Sequence, residues 1–303
     1  MLEISLLGTG GTIPLHNRYL SAMLARYNGR MLLIDCGEGT QVTMRELGWG
    51  FIQLNVILIT HFHADHIAGL PGLLLSLSNY GRKEPLIIAG PEGLTHIANS
   101  LRVIAPELGY PIEYAELLFD NTSPIHFRLG EFHISALPLD HALPCIGYSI
   151  YLPRAGKFDA KRAKALGVPL AYWSRLQRGE EAGGFTPDMV LGSPRKGLKV
   201  SYIVDTRPLG TIPDFICGSD LFICEGLYGD GAMRVKAERY YHMLFSDAAK
   251  LAKAGDVKEL WLTHYSQALA DPKAYLPAAT EIFPNSHTGY DRMKKALAFE
   301  HDI

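Results

Sequence analysis

With 303 residues, 48% of them hydrophobic and 20% charged, the chain has the make-up of an ordinary globular protein, which excludes disorder and low complexity as its main theme. Its formal charge of −2 leaves no global surplus of cations to displace counterions from a polyanion, so any nucleic-acid contact has to come from a local patch. The four cysteines, Cys36, Cys145, Cys217 and Cys224, are scattered without a CxxC pair, which points to reduced thiols rather than a disulfide framework.

Taken in chain order, the opening run Met1–Leu7 carries no basic leader and no small-residue cleavage site, so it reads as a first strand and the protein as cytoplasmic. The long apolar run Leu70–Leu77 is interrupted by Pro71, Gly72 and Ser76 and falls short of the roughly 20 residues a bilayer span needs, so no membrane segment is expected. Short Val/Ile/Leu runs end abruptly at polar residues: Met31–Ile34 before Asp35, Val56–Thr60 before His61, Ile134–Leu139 before Asp140 and His141. The same pattern recurs at Val200–Val204 before Asp205, Leu221–Cys224 before Glu225 and Leu260–Thr263 before His264. Each run predicts a buried strand that delivers a carboxylate or imidazole at its end, and function is expected along that edge. Helical spacing predicts helices over Ile67–Leu77, Gly93–Ile104, Ala160–Leu166, Phe245–Ala254 and Asp291–Phe299. This order favours a single α/β domain over residues 1–303, sheet on sheet with helices outside.

The stretch Arg154–Arg178 differs from the rest, with seven basic residues (Arg154, Lys157, Lys161, Arg162, Lys164, Arg175, Arg178) against one acid, Asp159. Composition allows either a solvated helix face or a phosphate-binding arm.

The chemistry is concentrated in His61-Phe62-His63-Ala64-Asp65-His66. His61 and His63 alternate in an extended segment and project the same way, and Asp65 and His66 sit where the loop turns into the next helix. A lone histidine is ordinarily a surface or packing residue, and His16, His96, His126, His133, His287 and His301 are read so. The cluster, followed by strand-ending His141, Asp205 and His264, supplies ligands for two ions. Zinc takes such imidazole and carboxylate donors and keeps an open position in catalytic sites, but donors without sulfur also suit manganese or iron.

On these residues the chain resembles the ribonuclease Z family of the metallo-β-lactamase superfamily. Leu7–Gly11 is similar to that family's opening loop, Asp35–Gln41 to its DCGEGTQ segment, Ile59–Leu74 to its ITHxHxDHxxGLPGLL run and Ile282–Asn285 to its final segment. The resemblance implies a four-layered αββα sandwich with a protruding arm, about residues 153–195, and two Zn²⁺ ions, with Mn²⁺ or Fe²⁺ as alternatives. It implies that His61, His63 and His141 hold one ion, that Asp65, His66 and His264 hold the other, and that Asp205 bridges them. Asp65 would also orient or deprotonate the attacking water, and Glu225 with His242 would protonate the leaving group. The implied activity is endonucleolytic removal of the 3′ trailer of precursor tRNA by a homodimer. The alternative is a small-molecule phosphodiesterase or other ester hydrolase on the same metals. A third reading, an RNA-binding protein with purely structural metal, sits badly with the full ligand set, because structural zinc sites are closed cages.

Two departures accompany the resemblance. The family's glutamate stands in an HEAT-like segment and its histidine in HST, whereas this chain has Cys224-Glu225-Gly226 and His242-Met243-Leu244. Gly156–Asp159 and Ala165–Pro169 are similar to the family's tRNA-gripping exosite, but Leu170-Ala171-Tyr172-Trp173 replaces the Gly-Pro that follows there.

Overall fold

The Met31–Ile34 run is apolar at every position because the fold buries both of its faces. Leu32 and Ile34 enter the core between two sheets, while Met31 and Leu33 face helices. The structure, a computed structural model, describes residues 1–120, 122–229 and 231–300; His301 lies outside them.

Strands β1 (Leu2–Gly8), β2 (Ala22–Tyr27), β3 (Arg30–Ile34), β4 (Leu54–Leu58), β5 (Leu86–Pro91) and β6 (Ile112–Leu117) build the first sheet. The second contains β7 (Ile125–Leu129), β8 (Phe132–Leu139), β9 (Cys145–Arg154), β10 (Arg195–Ile203), β11 (Leu221–Glu225), β12 (Leu260–Thr263) and β13 (Ser286–Thr288). A last strand, β14 (Lys294–Leu297), returns to the first sheet beside β1, so that each sheet has seven strands among the described residues. Each sheet is antiparallel on one side and parallel on the other, and the parallel sets are β3 to β6 and β10 to β13. Alternation along β1 shows the packing logic in small: Leu2, Ile4 and Leu6 join Ile134, Ile150 and Val200 in the inter-sheet core.

The outer face of the first sheet is covered by helices Thr40–Leu47, Leu70–Asn79 and Leu94–Leu101, and that of the second by Ile212–Ile216, Phe245–Ala254 and Pro277–Thr280. The αββα layering is thus the one expected. Among the described residues no helix is long and apolar enough to cross a membrane.

Two helix expectations are corrected. Asp291–Phe299 is not helical, for Lys294–Leu297 pairs antiparallel with β1. Met293, Leu297 and Phe299 all reach the inter-sheet core. The four-residue spacing from Met293 to Leu297 fits helix and strand alike, and Phe299 two residues on belongs to the strand period. The Ile67–Leu77 helix is split into Ala64–Ile67 and Leu70–Asn79. Between them Gly69 packs on the 36–37 backbone so closely that a Cβ there would lie 2.1 Å from the Gly37 carbonyl oxygen.

Between β9 and β10 the chain makes an excursion with a small core of its own, Ala163, Val168, Leu176 and Val190, packed by Phe158, Tyr172 and Trp173. Its helices are Ala160–Ala165, capped by the Asp159 carboxylate accepting from the Arg162 amide at 2.9 Å, and Leu170–Gln177, which starts after Pro169. Arg154 pairs with Arg195 at its root, whereas β9 begins at Cys145, whose Sγ lies 3.8 Å from His61 Nδ1. Ten residues of β9 therefore separate this excursion from the histidine cluster, on the order of 30 Å.

Candidate metal centre

Parallel strands of both sheets point their C-terminal ends at one cleft, where Asp35, His61, Asp205, Glu225 and His264 follow or end β3, β4, β10, β11 and β12. Asp35, Asp205 and His264, which lie just past β3, β10 and β12, have φ of 61°, 54° and 57°, a left-handed conformation unusual for residues with a Cβ. It turns the chain sharply out of the sheet and aims the side chain across the cleft. Glycine is required where the opening loop crosses the same place. A Cβ on Gly11 would lie 2.9 Å from the Nε2 of His264.

The imidazoles meet in two groups. His63 Nδ1 is 2.9 Å from His61 Nε2 and 3.1 Å from His141 Nε2. His66 Nε2 is 3.2 Å from His264 Nε2, and Asp65 Oδ2 lies 3.3 Å from the latter. Asp205 stands between the groups, its Oδ2 3.0 Å from His66 Nε2 and 3.2 Å from His264 Nε2, its Oδ1 3.9 Å from His141 Nε2. Donor atoms of His61, His63 and His141 lie within 4.8 Å of one another, as do those of Asp65, His66 and His264, and those of His61, His66 and Asp205.

This donor set fits divalent metal. So many ring nitrogens cannot satisfy one another with protons at these distances, and the buried Asp205 Oδ2 makes no hydrogen bond despite its two imidazole neighbours. A cation at the shared points satisfies all of them. Burial, with the neighbouring imidazoles, holds His61 well below its usual range, and burial also lowers His141, which keeps both neutral as ligands must be. Burial works to raise the Asp65 carboxyl, yet His66 and His264 outweigh it and keep it ionised, far below the usual carboxylate range.

The ligands are braced from behind. Asp35, which the sequence offered only as a strand end within a family segment, accepts from His66 Nδ1 at 2.8 Å and from the Thr60 amide at 2.8 Å. Such a carboxylate fixes the tautomer so that Nε2 faces the metal. The Thr12 amide donates to Asp65 Oδ2 at 2.7 Å, and the Thr60 hydroxyl sits 3.0 Å from His61 Nδ1. Thr12 carried no sequence signal, since its role rests on a backbone amide, and Thr60 stood out only as part of the Ile59–Leu74 run.

Glu225 and His242 are brought together. Glu225, fully buried at the end of β11, accepts from the Thr206 amide at 2.8 Å and the Met243 amide at 3.2 Å, and its Oε2 is 3.1 Å from His242 Nδ1. Burial disfavours the imidazolium of His242, but Glu225, Asp205 and Asp65 outweigh it and push the imidazole up to about 9. The altered flanks belong to the interior. Cys224 and Met243 lie in the core under the second sheet, and Gly226 makes room for Phe245, whose Cδ1 would be 2.5 Å from a Cβ there. His63, Asp65, His141, Asp205, His242 and His264 line an open cavity of about 440 Å³ together with Arg239, Tyr240 and Tyr241.

Two sheets that converge on a bed of imidazoles and carboxylates, with a cavity opening over it, define a metal-dependent hydrolase of the metallo-β-lactamase fold. The short form of human tRNase Z shares that fold, with a TM-score of 0.72 at 24% identity over 98% of this chain and 100% of that one. So does the metallo-β-lactamase fold protein YhfI from Bacillus subtilis, at a TM-score of 0.69 and 19% identity over 97% of this chain and 98% of that one. A family model described as Anti-Pycsar protein Apyc1 matches residues 2–152. In sequence the chain is 50% identical to a ribonuclease Z of Clostridium acetobutylicum over 100% of both chains. It is 51% identical to a ribonuclease Z of Clostridium kluyveri over 99% of this chain and 100% of the relative. The chain belongs to the ribonuclease Z family.

Proposed function

We propose that the protein removes the 3′ trailer of precursor tRNA by endonucleolytic hydrolysis of one phosphodiester bond at a dinuclear zinc centre. The observation that carries this is the complete donor set, braced by Asp35 and Thr12, beside a Glu225–His242 pair in a chain that is half identical to ribonuclease Z relatives over its whole length. His61, His63 and His141 would hold one ion and Asp65, His66 and His264 the other, with Asp205 between the two groups. Paired divalent ions supply Lewis acidity toward the phosphoryl oxygens and lower the pKa of water.

The protein's own groups do the rest. Asp65, fixed by the Thr12 amide, accepts a hydrogen bond from the attacking water and sets its direction. His242, carrying a proton on account of Glu225, donates it to the departing oxygen. Glu225 cannot turn away, because the amides of Thr206 and Met243 hold both its oxygens. The products are a tRNA with a 3′-hydroxyl and a trailer with a 5′-phosphate.

The basic excursion of residues 153–195 is read as the tRNA-gripping arm. It leaves the fold at the end of β9 remote from the cleft, which supports its acting on substrate held in a partner subunit's site within a homodimer. Its own folded core, with Trp173 Nε1 donating to the Val168 carbonyl at 3.0 Å, supports a semi-rigid element rather than a slack loop.

The test is cleavage of a 3′-extended precursor tRNA by zinc- and manganese-loaded protein, with the His63→Ala, His66→Ala variant alongside. Cleavage beside the discriminator base that disappears in the variant is expected. Persistent cleavage by the variant refutes the metal site, and intact tRNA with turnover of methyl p-nitrophenyl phosphate replaces this reading with a small-molecule phosphodiesterase.

A further inference from the structure

Helix Arg234–Arg239 ends in a way that ordinarily calls for glycine. The His242 amide donates to the Ala237 carbonyl at 2.9 Å and the Tyr241 amide to the Glu238 carbonyl at 3.5 Å, the paired bonds of a left-handed helix terminus. Tyr241 occupies the left-handed position, with φ of 63°. A tyrosine there is strained where glycine would be relaxed, so its side chain offsets that cost elsewhere.

The side chain reaches the cleft. Tyr241 lines the cavity over the metal ligands, and its ring meets that of His141 edge-on at 6.1 Å between centroids. The guanidinium of Arg207 lies over the ring, 3.9 Å from its centroid. Arg207 is held in turn by the Asp140 carboxylate at 3.2 Å and by the Glu238 carbonyl at 2.8 Å. Each member of this stack is thus within two residues of a group at the centre: Asp140 precedes His141, Arg207 follows Asp205 by two, and Tyr241 precedes His242. The stack therefore stands at the rim of the cavity beside His141 and His242, and Arg207 cannot swing off without breaking two polar contacts.

We propose that Tyr241, backed by Arg207, is a stacking platform for the nucleobase flanking the scissile phosphate, which makes the cleft a site for nucleotides rather than for phosphodiesters in general. An aromatic ring covered by a cation on one face offers the other to a base, whatever its identity, because every base has a π-face. The platform selects for the presence of a base and not for its sequence. This proposal rests on the RNA reading of the same cleft.

The experiment is a substrate-by-variant cycle. Wild type, Tyr241→Phe and Tyr241→Gly each cut 3′-extended tRNA with intact bases, and tRNA with an abasic residue on one or the other side of the cleavage site. In wild type and Tyr241→Phe, abasic substitution on one side should lower kcat/KM by about tenfold to a hundredfold, the scale of one lost base stack. Tyr241→Gly should cut the intact RNA more slowly by a similar factor and show no further loss on the abasic one. Glycine suits the left-handed position, so the variant keeps its fold, and its melting temperature is measured as the control. Equal abasic losses in wild type and Tyr241→Gly overturn the platform and leave the RNA reading standing. Failure of wild type to cut any of these RNAs overturns both.

Discussion

The metal cradle and the basic excursion are two ways of holding polar side chains in place. In the cradle the functional groups are fixed from at least two directions: His66 between the metal points and Asp35, Asp65 by Thr12 and His264, Glu225 by two amides and His242. Asp35, Glu225 and His264 stand at strand ends of the two sheets, with Thr12, Thr206, His242 and Met243 in the loops that adjoin them, so the geometry is backed by the largest core of the molecule. The excursion is backed by a small cluster of four buried apolar residues, and its lysines and arginines lie at the surface. The difference teaches where precision is needed. On the function proposed above, chemistry at a metal centre requires fixed positions, whereas a grip on a phosphate backbone requires charge and reach.

That contrast can be broken in four ways. His66→Ala removes a proposed ligand and takes one imidazole partner from each of Asp35 and Asp205, although Asp35 keeps Thr60 and Asp205 keeps His264; hydrolysis of both precursor tRNA and methyl p-nitrophenyl phosphate should fall by at least about 10³-fold, several kcal/mol of lost charge stabilisation. Initial rates on the two substrates check it, and an effect confined to one of them would mean that the cradle is not shared. Next in size is excision of the arm. Gly156 and Gly192 lie against each other, so close that a Cβ on Gly156 would be 1.9 Å from the Gly192 oxygen, and Lys157–Leu191 can be removed by joining them. Cleavage of tRNA should drop about 10²-fold and lose salt dependence, with the small ester hydrolysed at the wild-type rate. A parallel loss on the small ester would erase the distinction between the two regions.

Asp35→Asn tests the bracing from behind. It removes the negative charge and leaves a single accepting oxygen for both His66 Nδ1 and the Thr60 amide, and zinc affinity, read by competition with a chelator, should weaken about 10- to 100-fold. Unchanged affinity would show that the cradle is held by its ligands alone. The smallest effect is expected from Trp173→Ala, which strips the lid from the excursion's core at a cost of about 2 kcal/mol. Hydrogen exchange should rise within residues 158–190 and nowhere in the two sheets, and spread of the loss into the sheets would show one cooperative unit instead of two.

The apolar runs and the polar residues that end them made the sandwich and most of the candidate metal donors legible. Four donors within six residues, at His61 to His66, are unusual enough to announce themselves, and His141, Asp205, Glu225 and His264 each follow an apolar run. The boundaries of β12 and of the Phe245–Ala254 helix were legible too, because polar or glycine residues interrupt the apolar pattern at their ends. Asp291–Phe299 was misread, since its local spacing fits two periods and only the free edge of β1 selects the strand.

What the sequence by itself determined is the donor inventory, because ligand chemistry resides in side-chain type, and the strand ends that carry it, because burial of both faces demands continuous apolar runs. Tertiary structure alone decided which donors share a point, since His141, Asp205 and His264 come from loops far apart in the chain and meet only when two sheets pack face to face. It also decided that Asp35 serves His66, that the 157–191 excursion leaves from the remote end of β9, and that a strained Tyr241 stands beside His141. Each of these depends on distances between segments with no fixed separation along the chain, and only the packing of the core sets them.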